Sequence, residues 1–160
     1  MQSVALIDYG SGNLRSAEKA LQKAAAGLSR PATVVATDDP DRIAKALDGF
    51  KGVRRFGLAY IPMDETLTRC ALDLSNRPYL VWKVNFVRPR VGSMDTELFK
   101  EFHHAFAMNA GACIHLETLY GENSHHIAES GFKALARALR MAVEPDPKTQ
   151  GHAPSTKGVL

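Results

Sequence analysis

Residues 124–143 read Ser-His-His-Ile-Ala-Glu-Ser-Gly-Phe-Lys-Ala-Leu-Ala-Arg-Ala-Leu-Arg-Met-Ala-Val. Apolar residues recur at Phe132, Leu135, Leu139 and Val143, roughly one stripe of an α-helix. With Ser124 as N-cap, the spacing predicts a helix running to about Val143. At about 100° per residue, His125 and Glu129 fall on that same stripe, with His126 one step round and within i,i+3 reach of Glu129. A carboxylate on a dry stripe is costly unless it is paired or bound to a cation. Two adjacent imidazoles and a carboxylate suit Mn²⁺, Fe²⁺ or Zn²⁺. The spacing alone is also satisfied by Ser124 as a cap, solvated histidines and a surface-paired Glu129.

Working outward, apolar runs with strand character occupy 57–62, 67–74 and 79–86. A helical pattern covers 95–110, and a further strand covers 113–119. The order β-β-β-α-β-α predicts an α+β half-domain, a four-stranded and largely antiparallel sheet with two helices on one face. Within it, 67–74 and 79–86 are expected to pair antiparallel. The stretch from Glu144 is rich in Pro and Gly and reads as extended.

The first half-century has a different grain. Short apolar runs at 4–7 and 32–36 flank a turn at 10–12 and a helical pattern through Leu14, Ala17, Leu21 and Ala24, with Gly27 as its stop. Asp39-Pro40 then reads as N-cap and first residue of another helix. This is a βαβα segment, too narrow to cover both faces of a sheet by itself. The expected division is therefore 1–49 and 50–160.

Composition excludes more than it identifies. The chain has 160 residues, 45% hydrophobic and 23% charged, which is ordinary for a globular protein. Its net charge of +3 comes from scattered basic residues, so charge gives no reason to expect nucleic acid as a partner. No apolar run approaches membrane-spanning length, and residues 1–10 turn polar too quickly for a signal peptide. Cys70 and Cys113 propose no disulfide framework, so a reducing cytoplasm is expected.

Several runs are recognisable as they stand. Gly-Val-Arg-Arg-Phe-Gly (52–57), Asp-Leu-Ser-Asn-Arg-Pro-Tyr-Leu (73–80), Asn-Ser-His-His-Ile-Ala-Glu-Ser (123–130), Phe-Lys-Ala-Leu-Ala-Arg-Ala-Leu-Arg (132–140) and Pro-Ser-Thr-Lys-Gly-Val-Leu (154–160) resemble the C-terminal part of imidazoleglycerol-phosphate dehydratases. The resemblance covers about 51–160. It implies a hydro-lyase of histidine biosynthesis, built from two similar α+β halves. Two Mn²⁺ ions would be held by both halves and by neighbouring subunits of a symmetric assembly. On this resemblance Glu101, His125, His126 and Glu129 match metal ligands, and Glu129 is the catalytic candidate. Arg55, Arg77, Ser155 and Lys157 match the contacts to the substrate phosphate, a sensible set because guanidinium, hydroxyl and ammonium groups together cage phosphate. His103 and His104 stand beside Glu101 and read as solvated helix histidines. Phe102, Ala105, Phe106 and Leu135 belong to a helix face that the family's other half would cover.

A second resemblance covers about 1–47. Ile-Asp-Tyr-Gly-Ser-Gly-Asn-Leu-Arg-Ser-Ala-Glu-Lys-Ala-Leu (7–21) and Ala-Thr-Asp-Asp-Pro-Asp-Arg-Ile (36–43) are similar to the start of the glutamine amidotransferase subunit of imidazole glycerol phosphate synthases. The chain is thus expected to be a fusion of two fragments, joined near 44–50. Glutaminase chemistry is not expected, because neither cysteine sits in a strand-to-helix nucleophile turn. Residues 1–50 contain no histidine, so the dehydratase ligand set is half absent. The expectation is a truncated dehydratase-like protein, weak or inactive alone, with any Mn²⁺ weakly held. Its partners would be a phosphorylated imidazole substrate and a second copy or protein covering the helix face. The alternative is a non-catalytic protein-binding module, inhibitor-like or antitoxin-like.

Overall fold

The computed structural model describes residues 2–7, 22, 32–37, 50–149, 152 and 154. It divides into two compact units, Met1–Asp48 and Gly49–Leu160. In the first unit, β1 (Gln2–Ile7) and β2 (Ala32–Thr37) pair in parallel, with Gln2 opposite Ala32 and Ile7 opposite Thr37. Parallel neighbours require a crossover, as the βαβ reading expects. The expected turn at 10–12 and the second helix lie outside the described residues. Of the first helix only Gln22 is described, and it is helical.

The second unit is an α+β layer. Its strands are β3 (Phe56–Met63), β4 (Thr66–Leu74), β5 (Tyr79–Lys83) and, after a two-residue hairpin of β6 (Arg90–Val91) and β7 (Met94–Asp95), β8 (Ala112–Tyr120). Helix α1 (Glu97–Asn109) precedes β8, and α2 (Ser124–Val143) follows it. The main sheet runs β3-β4-β8-β5, with β3–β4 and β4–β8 antiparallel and β5–β8 parallel. The half-domain class is as expected, but the expected pairing of 67–74 with 79–86 is wrong. Strand β8 lies between them. The reason is that α1 carries the chain over the sheet, so β5-α1-β8 is a parallel crossover rather than a meander. Strand β5 also stops at Lys83, short of Phe86.

Alternation in β4 is clean: Thr66, Thr68, Cys70, Leu72 and Leu74 are buried, while the residues between them face the open side. Leu74, Ile114, Leu116 and Ile127 are almost wholly enclosed, each contributing roughly 1.5–3 kcal/mol by leaving water. Helix α2 meets the sheet with Ile127, Gly131, Ala134, Leu135, Ala138 and Ala142. This face is rotated from the stripe expected from the large residues. Small side chains are what the contact needs, since a Cβ on Gly57 would stand 1.8 Å from the Ala138 carbonyl oxygen. Leu135 is therefore buried within this unit instead of awaiting a missing half. Phe102 and Phe106 are half-buried and Ala105 is exposed.

His103 departs most from expectation. It is 1% exposed, its Nδ1 donates to the Phe99 carbonyl at 2.6 Å, and its ring packs against Trp82, Phe102 and Phe132. Position i+4 from Phe99 places it on the inner face of α1. His104, the next residue, is exposed as expected. Among the described residues no helix is long and apolar enough to cross a membrane.

Candidate functional site

The helix start is built by a short exchange between two elements. Asn123, not Ser124, is the N-cap of α2, and its side-chain oxygen accepts from the His125 backbone N–H at 2.9 Å. Ser124 is instead the first helical residue, buried, with its Oγ accepting from the Arg88 N–H at 3.0 Å. The β3–β4 turn brings Asp64 and Glu65 to this helix start. Asp64 takes a left-handed φ of 48°, tolerated by Asp in tight turns.

Glu65 is the hub. Its Oε2 accepts from His126 Nδ1 at 2.7 Å. Its Oε1 accepts from the Thr66 hydroxyl at 2.9 Å and from the backbone N–H groups of Glu122 and Asn123 at 3.2 and 2.9 Å. The His126 hydrogen bond chiefly, with these others, holds the Glu65 carboxyl down at about 2. The same bond raises the His126 pKa. Asp64 Oδ2 lies 3.6 Å from His126 Nε2. Glu129 Oε1 pairs with Lys133 Nζ at 2.6 Å and its Oε2 lies 3.3 Å from His125 Nε2, and the Lys133 bond chiefly lowers the Glu129 pKa.

His125, His126 and Glu129 are thus brought together at the exposed start of α2, not on its dry face. The His125 side chain is 65% exposed. Glu101 is exposed on α1. Glu65 and Asp64 were not among the expected site residues; their only signal was an acidic pair in the tight turn between two strands.

The donors have the chemistry of a divalent-cation site. A histidine whose Nδ1–H is fixed by a carboxylate presents Nε2 as a ligand. They do not make a complete one, since among the described residues no group of three His, Cys, Asp or Glu side chains converges on a cation position. In His126 one ring nitrogen is committed to Glu65, and in Glu129 one oxygen is committed to Lys133. The described residues of this unit therefore do not fit two Mn²⁺ ions.

The anion candidates lie elsewhere. Arg55 precedes β3, 12% exposed, with Nε 2.6 Å and Nη2 3.2 Å from the two Asp73 carboxylate oxygens and Nη1 donating to the Pro154 carbonyl at 2.8 Å. Arg77 is exposed in the β4–β5 loop, close enough to Cys113 for its charge to act on the thiol. Phe56, Asp73, Cys113 and Tyr79 form one row across the sheet, so both arginines belong to this end of it. Ser155 and Lys157 lie outside the described residues. At about 3.4 Å per residue, the eight residues of β3 put roughly 24 Å between the Arg55 end and the His126 end. The two sets of candidate residues therefore stand at opposite ends of β3.

Cys70 lies within β4, where burial pushes its thiol up to about 12, and Cys113 lies within β8. Neither occupies a strand-to-helix turn, so neither is set up as a nucleophile.

Comparison with known proteins gives these features a common frame. The family model described as imidazoleglycerol-phosphate dehydratase matches residues 41–139, beginning ahead of the junction expected near 44–50. An imidazoleglycerol-phosphate dehydratase of Phenylobacterium zucineum is 83% identical over 118 residues, 74% of this chain and 60% of that protein. One from Rhodopseudomonas palustris is 59% identical over the same length and shares. The crystal structure of the Staphylococcus aureus enzyme superposes with a TM-score of 0.63 at 40% identity, covering 65% of this chain and 61% of that one. The Pyrococcus furiosus enzyme gives 0.64 at 38%, covering 76% and 67%. The chain spans about 60% of the length of the curated relatives it matches. With the sheet, the two helices and the helix-start histidines in place, this chain belongs to the imidazoleglycerol-phosphate dehydratase family.

Proposed function

We propose that this chain carries part of a dehydratase site of histidine biosynthesis and does not turn over imidazoleglycerol phosphate by itself. The observation that carries this reading is the distance between its half-sites, roughly 24 Å along β3. The three-carbon chain between phosphate and imidazole in that substrate cannot bridge this distance within one copy of the chain. Arg55, Arg77, Ser155 and Lys157 are the proposed phosphate contacts; Pro154, next to Ser155 in sequence, touches Arg55. Glu101, His125, His126 and Glu129 are the proposed Mn²⁺ ligands, weakly binding because donors from outside the unit are needed to complete a sphere. Glu129 is the proposed catalytic carboxylate. Losing part of a constellation that acts as a unit costs more than losing one residue. Binding of the phosphate without turnover is the expected remainder.

Residues 1–47 are proposed to be a fragment similar to the amidotransferase subunit, fused without its chemistry. Association through an uncovered face is the second reading. Phe56, Leu58 and Tyr60 are 59%, 51% and 49% exposed on the side of β3 opposite Gly57, which faces α2. A second copy or another protein would cover them.

The test is purified chain with Mn²⁺ and imidazoleglycerol phosphate, followed for the keto product. No product is expected. Turnover that disappears in Glu129→Gln would overturn the proposal and place a complete site in an assembly of this chain alone.

A further inference from the structure

Arg55 is held in an unusual way. It takes φ 72°, a left-handed conformation that costs a non-glycine residue about 1–2 kcal/mol. The backbone fixes it there: its N–H donates to the Ala142 carbonyl at 2.9 Å, and its carbonyl accepts from the Leu74 N–H at 3.1 Å. That geometry sends the side chain toward Asp73, whose two oxygens take Nε and Nη2 side by side. The fork is rigid and planar, so two bonds to one carboxylate fix where the remaining N–H groups point.

One of those, on Nη1, holds the Pro154 carbonyl. Glu144, Asp146 and His152, ahead of Pro154 in sequence, bond back onto the chain just before β3. The Arg54 N–H donates to the Glu144 carbonyl at 3.0 Å, the Asp146 N–H to the Gly52 carbonyl at 2.8 Å, and the Gly52 N–H to the His152 carbonyl at 3.1 Å. The near end of this stretch is therefore tied at 144–146. Its far end is tied at His152 and, through a side chain, at Pro154. Among the described residues, three of the five N–H bonds of the guanidinium have partners and two, one on each Nη, have none.

We propose that Asp73 is a positioning residue. It aims Arg55 so that the guanidinium clasps the C-terminal segment at Pro154 and keeps two N–H bonds free for an anion. The anion half of this statement rests on the phosphate reading above; the clasp does not. An uncharged side chain at position 73 would let Arg55 swing and release Pro154, leaving the Gly52 N–H as the described tie at His152 while the sheet stayed closed. Because the charge-assisted pair is only partly exposed, 12% for Arg55 and 23% for Asp73, solvent does not remove its effect.

The test compares the full chain with Asp73→Asn, which keeps shape and loses charge. Amide hydrogen exchange of peptides from 147–154 should rise about tenfold, the scale of one lost charge-assisted bond, with β8 peptides unchanged. The affinity for inorganic phosphate, read by calorimetry, should fall by a similar factor. Arg55→Lys keeps a charge opposite Asp73 but loses the fork, and should release the same segment; it also carries the test if Asp73→Asn does not fold. Unchanged exchange at 147–154 in both variants would overturn the proposal. Faster exchange in both variants with phosphate affinity unaltered would uphold the clasp and overturn the phosphate reading alone.

Discussion

His126 Nδ1 lies 2.7 Å from Oε2 of Glu65, joining the start of α2 to the β3–β4 turn across 61 positions of sequence. Both groups are shifted toward their charged forms: the bond raises the His126 pKa and holds Glu65 near 2. The Glu65 contribution to stability is present above the unfolded carboxylate value of 4.5 and is lost as pH falls toward 2. The His126 contribution is present below 6.5 and is lost as pH rises through its raised value. Between those limits the pair is at full strength. Proton NMR of the imidazole should place His126 above 6.5, and Glu65→Gln should move it back down; a titration unaltered by the substitution would show that another group sets it.

Gly57→Ala should prevent normal packing of α2. The new Cβ would meet the Ala138 carbonyl oxygen at 1.8 Å, and a helix backbone cannot yield locally as a side chain can. A loss of about 3 kcal/mol or more is expected, toward the upper end of overpacking costs. By contrast Gly92→Ala meets no atom within 4 Å and suffers only from its φ of 61°, about 1 kcal/mol. Thermal melts of the two variants should differ clearly; equal melting temperatures would contradict the contact.

His103→Leu should stabilise the second unit and reduce its acid sensitivity. Among the described residues the buried His103 Nε2 has no hydrogen-bond partner, and an unmet polar atom of this kind costs about 1–3 kcal/mol. Burial lowers the His103 pKa, so below 6.5 the unfolded chain takes up a proton that the folded one resists. Stability is therefore lost as pH falls below that value. Denaturant midpoints measured from pH 7 to 5 should fall less steeply in the variant; parallel slopes would contradict this role for His103.

Replacing both His125 and His126 with Ala should remove whatever Mn²⁺ or Zn²⁺ the chain retains. Elemental analysis after dialysis is the measurement. Equal metal content in the double variant would place any bound ion elsewhere.

The helix to about Val143 and the strand at 67–74 were legible because each buries one face at its own period. Which face α2 buries was not. Counting large apolar residues selects Phe132, Leu135, Leu139 and Val143, of which the sheet takes Leu135 alone; it otherwise admits Gly131, Ala134, Ala138 and Ala142 because two backbones meet there. The histidines could be found from their adjacency. Glu65 could not be tied to them, since nothing local links position 65 to position 126. His103 differs from expectation because an imidazole in a helix carries no local mark of the aromatic rings that enclose it.

The late strand β8 also governs when the second unit can become whole. During synthesis β3 and β4 can zip into a hairpin at once, but the inner edge of β4 stays open until residues 112–120 arrive. Strand β5, made earlier than β8, has its parallel place only after α1 has carried the chain across. Throughout that interval Cys70, Leu72 and Leu74 line an unfinished sheet, a template for a neighbouring nascent chain. Conditions that slow the crossover should therefore favour aggregation over incomplete but soluble folding, and the vulnerable species is a chain ending between Lys83 and Ala112.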